Sequence, residues 1–455
     1  MKHKILLLLP IMAFLATLPI RLYATNECLS PNETVWFRYP AKSWSEQALH
    51  IGNGYMGASF YGEVEKERLD IAEKTFWAGG PHAAPDFNYG IIKGGKDKIA
   101  TIRQLIVERR FAEADSLSRI YMTGDYTNYG YFSMVGNLWI DFGKNKQPVQ
   151  NYLRGIDLST SRGFVEYTQG GVQFNREYFC SYPDKLMALH FTADKAGKIS
   201  FSLSHSLVYP PEEVIESENG LTFNGIIRKN GLGYTIRIKI VQQGGSVKVA
   251  HQRIVVEKAN EATVFYAVDT EYAPVYPLYK GENPQQNTGK VITKAITKGY
   301  ETVKNTHISD YQTLYNRVRF TLTGDTASEQ LPTNMRVKQL QKGFTDDASL
   351  KVLGFNLSRY LLISASRPGT LPSTLQGVWN TFEKAPWNGN FQSNINLQEM
   401  YWGCGPTHLP ECEEAYLEWI EGLVEPGRQT AREYYGTKGW VSHSTGNIWG
   451  HTASP

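Results

Sequence analysis

The sequence predicts a multidomain β-plus-α protein: a large antiparallel β-sandwich, then a helical linker, then the opening of an all-helical domain. Three observations carry this prediction. Strand-like alternation recurs about every 8–12 residues from Val35 to Thr270, the rhythm of a sandwich. The pattern turns helical after Pro284. From Asp347 onward, amphipathic runs are bounded by helix start and stop residues.

The first element is an address. Lys2-His3-Lys4 is a basic n-region, Ile5 to Ile20 is an apolar run too short to span a bilayer comfortably, and Ala24 offers a small-residue cleavage site. Residues 1–24 are therefore expected to be a signal peptide, and the protein to be exported, periplasmic or extracellular. No later stretch reaches membrane-spanning length.

Residues 25–284 form the sandwich domain. Within it, Ile199, Phe201 and Leu203 alternate onto one face. Gln173 to Ser181 and Lys185 to Thr192 make a strand–turn–strand unit, and Thr235 to Val241 returns through Gly244 and Gly245 to Ser246 to Ala250. One helical insert, Ala100 to Tyr121, interrupts the strands. Residues 285–345 are the linker, with helices over Val291 to Val318 and Leu331 to Gly343. Residues 346–455 open the helical domain. Asp347 to Ser366 is its first helix, with Leu350, Leu353, Phe355, Leu357, Tyr360 and Leu361 facing inward. Two more helices follow, at Pro410 to Leu423 and at Pro426 to Tyr435. The second of these has Pro426 placed as the first residue and Gly436 as the cap.

Composition narrows the function classes. Of the 455 residues, 47 are basic and 44 acidic, and three of the cations (Lys2, Lys4, Arg21) lie in the leader, so the rest is formally neutral. Such a chain lacks the electrostatic footprint of a nucleic-acid or anionic-membrane binder. Aromatics reach 13%, which suits both a β-rich core and a surface for stacking sugar rings. Four cysteines do not make a disulfide scaffold; Cys404 and Cys412 are open to pairing or to burial as thiols. No Cys/His spacing reads as a metal site, since His443 and His451 have no third ligand nearby.

The densest polar and aromatic stretch is the loop holding QGVWN (376–380), APWNG (385–389) and NINLQEMYW (394–402). It sets Trp379, Trp387, Tyr401 and Trp402 near several amides and Glu399. In an extended segment Asn394 and Asn396 point to one side, opposite Ile395 and Leu397, so two amides could grip one hydroxyl or water. They could equally satisfy local backbone groups. Glu399 is either one carboxyl of a hydrolytic pair or a substrate-contacting or structural residue. His443 either binds a sugar hydroxyl or caps the local chain.

At these residues the chain resembles glycoside hydrolase family 95, whose activities are mainly α-L-fucosidase with some α-L-galactosidase. The resemblance runs from about Val35 to Pro455. It is carried by LHIGNGYMGA (49–58), LDIAEKTFWAGGP (69–81), YLRGIDL (152–158), REYF (176–179), SRPG (366–369), LQGVWN (375–380), Pro386-Trp387 and NIN (394–396). It implies a β super-sandwich, a helical linker and the first helices of an (α/α)6 barrel that is incomplete in this chain. It also implies removal of terminal α-L-fucose from a glycan by inversion, without metal or organic cofactor. The substrate would be a fucosylated, or L-galactosylated, oligosaccharide. The two amides that hold the attacking water would be Asn394 and Asn396, and the sugar-contacting residues Trp379, Trp387, Glu399, Trp402, His443 and Trp449. The family's general acid and base lie further along its pattern than Pro455, so the chain as given is expected to hydrolyse nothing at a meaningful rate. One departure stands out: the family's H-H-x-T-D-x-W reads HSTGNIW (443–449), with Asn447 in place of the acid. A non-catalytic glycan-binding protein is the alternative from another class. A phosphorylase of similar architecture would need a phosphate-binding cluster of Arg, Lys and backbone donors, which the loop does not offer.

Overall fold

The computed structural model describes residues 29–455; the expected leader and Cys28 lie outside them. Two antiparallel sheets, of nine and seven strands among the described residues, face each other as a sandwich. Strands Leu232–Gln243 and Glu261–Thr270 pair at the heart of the larger sheet, and Lys66–Trp77 and Phe132–Asp141 at the heart of the smaller. Alternation does the sorting. Ile199, Phe201 and Leu203 are buried in one continuous core, as their spacing predicts.

The helices follow in chain order. The insert is two short helices, α1 (Ile99–Val107) and α2 (Phe111–Tyr121), separated by a three-residue break. The single linker helix expected over Val291 to Val318 is instead α3 (Pro284–Lys298) and α4 (Tyr300–Tyr315). Asn283 caps α3 by accepting from the Gln285 amide, Pro284 takes its first turn, and Gly299 at φ 74° ends it. α5 (Thr333–Gln341) leads to α6 (Ala348–Ala365), whose N-cap is Asp347. Along α6 the buried set differs from the expected one. Leu350, Leu353 and Tyr360 are buried, but so are Asn356 and Arg359, while Phe355 and Leu357 are half-exposed. Arg359 is held inside by donating to the carbonyls of Leu314 and Tyr315, which end α4.

α7 (Asn396–Tyr401), α8 (Pro410–Gly422) and α9 (Val424–Thr430) complete the helices, with α9 running into a π-turn at Ala431–Tyr435. Pro426 is the third residue of α9 rather than its first; Gly436 does cap, at φ 64°. Cys180, Cys404 and Cys412 are buried free thiols, so the Cys404–Cys412 disulfide does not form. Among the described residues no helix is long and apolar enough to cross a membrane.

The sandwich and the helices interlock through glycines. A Cβ on Gly52 would meet the Ser364 carbonyl at 2.6 Å, and one on Gly57 would meet Val378 and Trp379 at 2.7–2.8 Å. Trp379 lies in that notch and donates its indole N–H to the Ile51 carbonyl at 2.8 Å. A Cβ on Gly80 would collide with the Trp449 ring at 2.4 Å. The runs 49–58 and 69–81 are therefore seats for two tryptophans of the helical region, where only a residue without a side chain permits the approach.

Candidate functional site

The loop between α6 and α8 is built on two anchors. A tight turn at Pro386–Gly389 packs on Phe132, where Gly389 has no room for a Cβ. Then Phe391–Gln392 pairs antiparallel with Thr445–Gly446. The ribbon is fastened at its end, where the Ser393 amide donates to the Ser444 carbonyl at 2.9 Å and its hydroxyl to that of His443 at 3.1 Å.

Asn394 and Asn396 follow at once, but not in an extended strand. Asn394 is in a turn and Asn396 starts α7, with Ile395 at φ −165°, ψ −34° between them. The alternation argument fails here because a helix begins where a strand was expected. Leu397 is still buried, but Ile395 is 44% exposed. The helix serves the same end differently. Leu397 and Tyr401, four apart, turn inward together. Tyr401 locks the helix: its hydroxyl accepts from the Ser373 amide at 2.9 Å and lies 2.8 Å from the Ser366 hydroxyl. Burial pushes the Tyr401 phenol up to about 12, so it stays protonated. Asn396, Glu399 and Trp402, at successive spacings of three, are left on the exposed side. Neither Asn394 nor Asn396 has a side-chain hydrogen-bond partner among the described residues, so both amides are free to take a ligand.

The four expected tryptophans divide. Trp387 is 73% exposed and Trp402 62% exposed, both open to a ligand. Trp387 and Asn388 hold left-handed backbone, φ 56° and 59°, a costly conformation for residues with side chains, fixed here by the Phe132 contact. Trp379 and Trp449 are spent in the core, at 6% and 0% exposure, and offer no ring face to a sugar. Trp449 donates to the Ala78 carbonyl at 3.1 Å and packs against Tyr272.

His443 is also engaged. Its Nδ1 lies 2.7 Å from the Thr452 carbonyl, which can only accept, so Nδ1 carries the proton. Nε2 is then the acceptor for the Tyr435 hydroxyl at 2.7 Å. With both ring nitrogens taken, the group presented outward is Tyr435. Asn447 is fully buried: its amide donates to the Tyr129 carbonyl at 2.8 Å and accepts from the amides of Trp449 and His451. An Asp there could accept from both amides but could not donate to Tyr129, so this departure is absorbed by the fold.

Tyr126, Tyr129, Thr445 and Tyr435 were not anticipated. Tyr126 stacks on Tyr129, and its hydroxyl meets that of Thr445 at 2.7 Å, so the loop after α2 buttresses the ribbon. The only local hint is two tyrosines three apart in a polar loop. No group of three metal-ligating side chains forms among the described residues.

One stability prediction arises here. Trp387→Ala is expected to change unfolding free energy by less than about 0.5 kcal/mol, because the ring makes little contact with the fold. A urea melt checks this; a loss of several kcal/mol would mean the ring is structural.

Residues 35–274 match the glycosyl hydrolase family 65 N-terminal domain, and residues 299–455 the glycosyl hydrolase family 95 catalytic domain. The chain is 32% identical over 447 residues to alpha-L-fucosidase 2 of Arabidopsis thaliana, covering 92% of this chain and 52% of that protein. It is 30% identical over 440 residues to "Probable alpha-fucosidase A" of Aspergillus niger, covering 92% and 54%. It thus spans about half the length of the relatives it matches. A solved structure described as "Putative kojibiose phosphorylase from human microbiome" shares the fold, with a TM-score of 0.58 at 11% identity over 93% of this chain and 53% of that one.

Proposed function

Because the chain belongs to glycosyl hydrolase family 95, we propose that it is part of an exported α-L-fucosidase that removes terminal α-L-fucose by inversion, with α-L-galactose as the alternative sugar. The observation that carries this is the pair Asn394 and Asn396, exposed, unpartnered and set just past the end of a braced ribbon within the family's catalytic-domain match. The relatives named as fucosidases support the sugar.

In this reading the two carboxamides receive a water. Each amide accepts one of its protons or donates to its oxygen, fixing the lone pair toward the anomeric carbon. Neither can take a proton at neutral pH, so a carboxylate must act as base, with a carboxylic acid on the opposite face protonating the leaving oxygen. In an inverting site these stand about 6.5–9.5 Å apart. We place both in sequence beyond Pro455, in the remaining helices of an (α/α)6 barrel. Trp387 and Trp402 would supply stacking faces for the glycan, and Glu399 a hydroxyl contact.

The test compares Met1–Pro455 with a chain extended to the relatives' length, on 2′-fucosyllactose. The extended chain should release fucose as the inverted anomer, and Met1–Pro455 should not. In the extended chain Asn394→Ala and Asn396→Ala should each lower kcat about 10²–10³-fold with a small change in KM, as expected when a transition-state contact is lost. Near-normal turnover in either variant, or ordinary turnover by Met1–Pro455, overturns the assignment. Glycan binding by the extended chain without any hydrolysis would favour a binding protein.

A further inference from the structure

With no side-chain partners, the carboxamides of Asn394 and Asn396 are aimed by the backbone beneath them. That backbone is not a regular element. Ser393, Asn394 and Ile395 form a turn between the ribbon and α7, and Ile395, at φ −165° and ψ −34°, keeps the helix from running back through Asn394. Such a turn has no ladder of hydrogen bonds of its own, so its shape depends on what holds its two ends.

The far end is held by α7. The Ile395 carbonyl accepts from the Glu399 amide at 2.9 Å, and α7 itself is anchored in the core by Leu397 and by the Tyr401 hydroxyl. The near end is Ser393, whose amide and hydroxyl already donate to the Ser444 and His443 carbonyls. Its remaining polar group, the carbonyl, accepts from the side-chain Nε2 of Gln398 at 2.7 Å. A side chain of α7 thus reaches back to tie the end of the ribbon to the helix, and both asparagines lie inside the loop it closes. The carbonyl can only accept, so the NH2 of Gln398 must face it. The Oε1 of Gln398 is then buried without a hydrogen-bond partner. A buried acceptor left bare destabilises a fold. The position keeps a donor aimed at Ser393 in spite of that cost.

We infer that Gln398 is a positioning residue for hydrolysis: acting through the Ser393 carbonyl, it fixes Asn394 relative to Asn396 so that both amides reach one water. The inference rests on the reading of Asn394 and Asn396 as the water-holding pair. The two asparagines need different support. Asn396 is the first residue of α7 and moves with that helix, whereas Asn394 belongs to the turn and follows Ser393. Gln398 joins these two bodies, so its loss lets the amides drift apart without touching the sugar-binding surface. A water held by one amide instead of two keeps its site but not its direction of attack.

The test uses the chain extended to the relatives' length, on 2′-fucosyllactose. Gln398→Met fills similar space without the donor and also removes the bare acceptor, so its Tm should stay within about 3 °C of the parent's. Its kcat should fall about 10- to 100-fold with KM within about 2-fold, as expected when the water is misplaced and the sugar is not. Gln398→Glu keeps the shape but, ionised, cannot donate, and should lose kcat to a similar degree. In an Asn394→Ala background, Gln398→Met should lower kcat by less than about 3-fold more, because the amide it positions is gone. A purely structural role would multiply the two losses. Near-parent kcat in either folded variant, a rise in KM at constant kcat, multiplied losses in the double variant, or unfolding of both Gln398 variants overturns the inference. An extended parent that releases no fucose overturns the water-holding assignment and this inference together. An active parent that is impaired by Asn394→Ala but not by Gln398→Met overturns this inference alone.

Discussion

Acidification from pH 7.5 toward pH 4 should unfold this protein, with buried histidines supplying much of the effect. His307 donates its Nε2 proton toward the carbonyls of Thr160 and Ser161, both at 3.1 Å, and stacks on Phe179. His451 is enclosed by Tyr126 and Tyr129. Burial lowers both imidazoles to about 4. In the unfolded chain they titrate near 6.5. Between those values the unfolded state takes up protons that the fold refuses. The stability is therefore whole above pH 6.5 and is lost as pH falls through 4. Each fully buried histidine costs about 3 kcal/mol at the acid end. His50, His190 and His205, half-buried, are lowered to about 4 by the same cause. The combined loss is comparable with the whole stability of an ordinary fold, about 5–15 kcal/mol.

Carboxylates also titrate in acid, so the discriminating variant is His307→Gln. Its amide can still donate to the two carbonyls but cannot titrate. Urea midpoints at pH 7.5 and pH 5 should show the parent losing about 2 kcal/mol more than the variant. Parallel losses would remove His307 from the account.

The second large effect lies at Asp347. Its carboxylate receives Arg336 through two bonds of 2.8 Å, and both side chains are fully buried. The same carboxylate caps α6 by accepting from the Leu350 amide at 2.8 Å, while Arg336 also donates to the Pro31 carbonyl and the Ser349 hydroxyl. Burial alone would raise the Asp347 carboxyl, but the hydrogen bonds from Arg336 and the Leu350 amide hold it below its usual range. Asp347→Ala removes the cap and leaves a guanidinium buried without its anion. The expected loss is about 4–6 kcal/mol, of which the cap is about 1. Arg336→Met/Asp347→Ser should lose less than either single change, because serine still caps and no charge stays unpaired. Denaturant melts give the ordering; a double variant weaker than both singles would show that the pair is net stabilising.

How much of this was legible depended on the range of the interaction. The strand around Ile199, Phe201 and Leu203, the helix beginning at Asp347 and the stop at Gly436 are local, and the pattern alone located them. The candidate loop was read with the wrong backbone. Asn394 and Asn396 are both exposed, yet a turn and a helix start rather than a strand expose them. Nothing local tells Ser393 that Ser444 will accept its amide proton fifty residues on. The buttress of Tyr126 on Thr445 is more distant still.

By itself the sequence determined the order of sandwich and helices, the family, and the loop on which the chemistry would be sought. These follow from periodicity, caps and motif spacing, which are properties of neighbouring residues. Only the tertiary structure decided which tryptophans face outward. Trp379 and Trp387 are equally plausible stacking rings in the text of the loop. Gly52 and Gly57 make a notch that takes the first, and the left-handed turn braced on Phe132 lifts the second into solvent. A ring's accessibility is set by what packs against it, and for Trp379 that partner lies more than three hundred residues earlier in the chain.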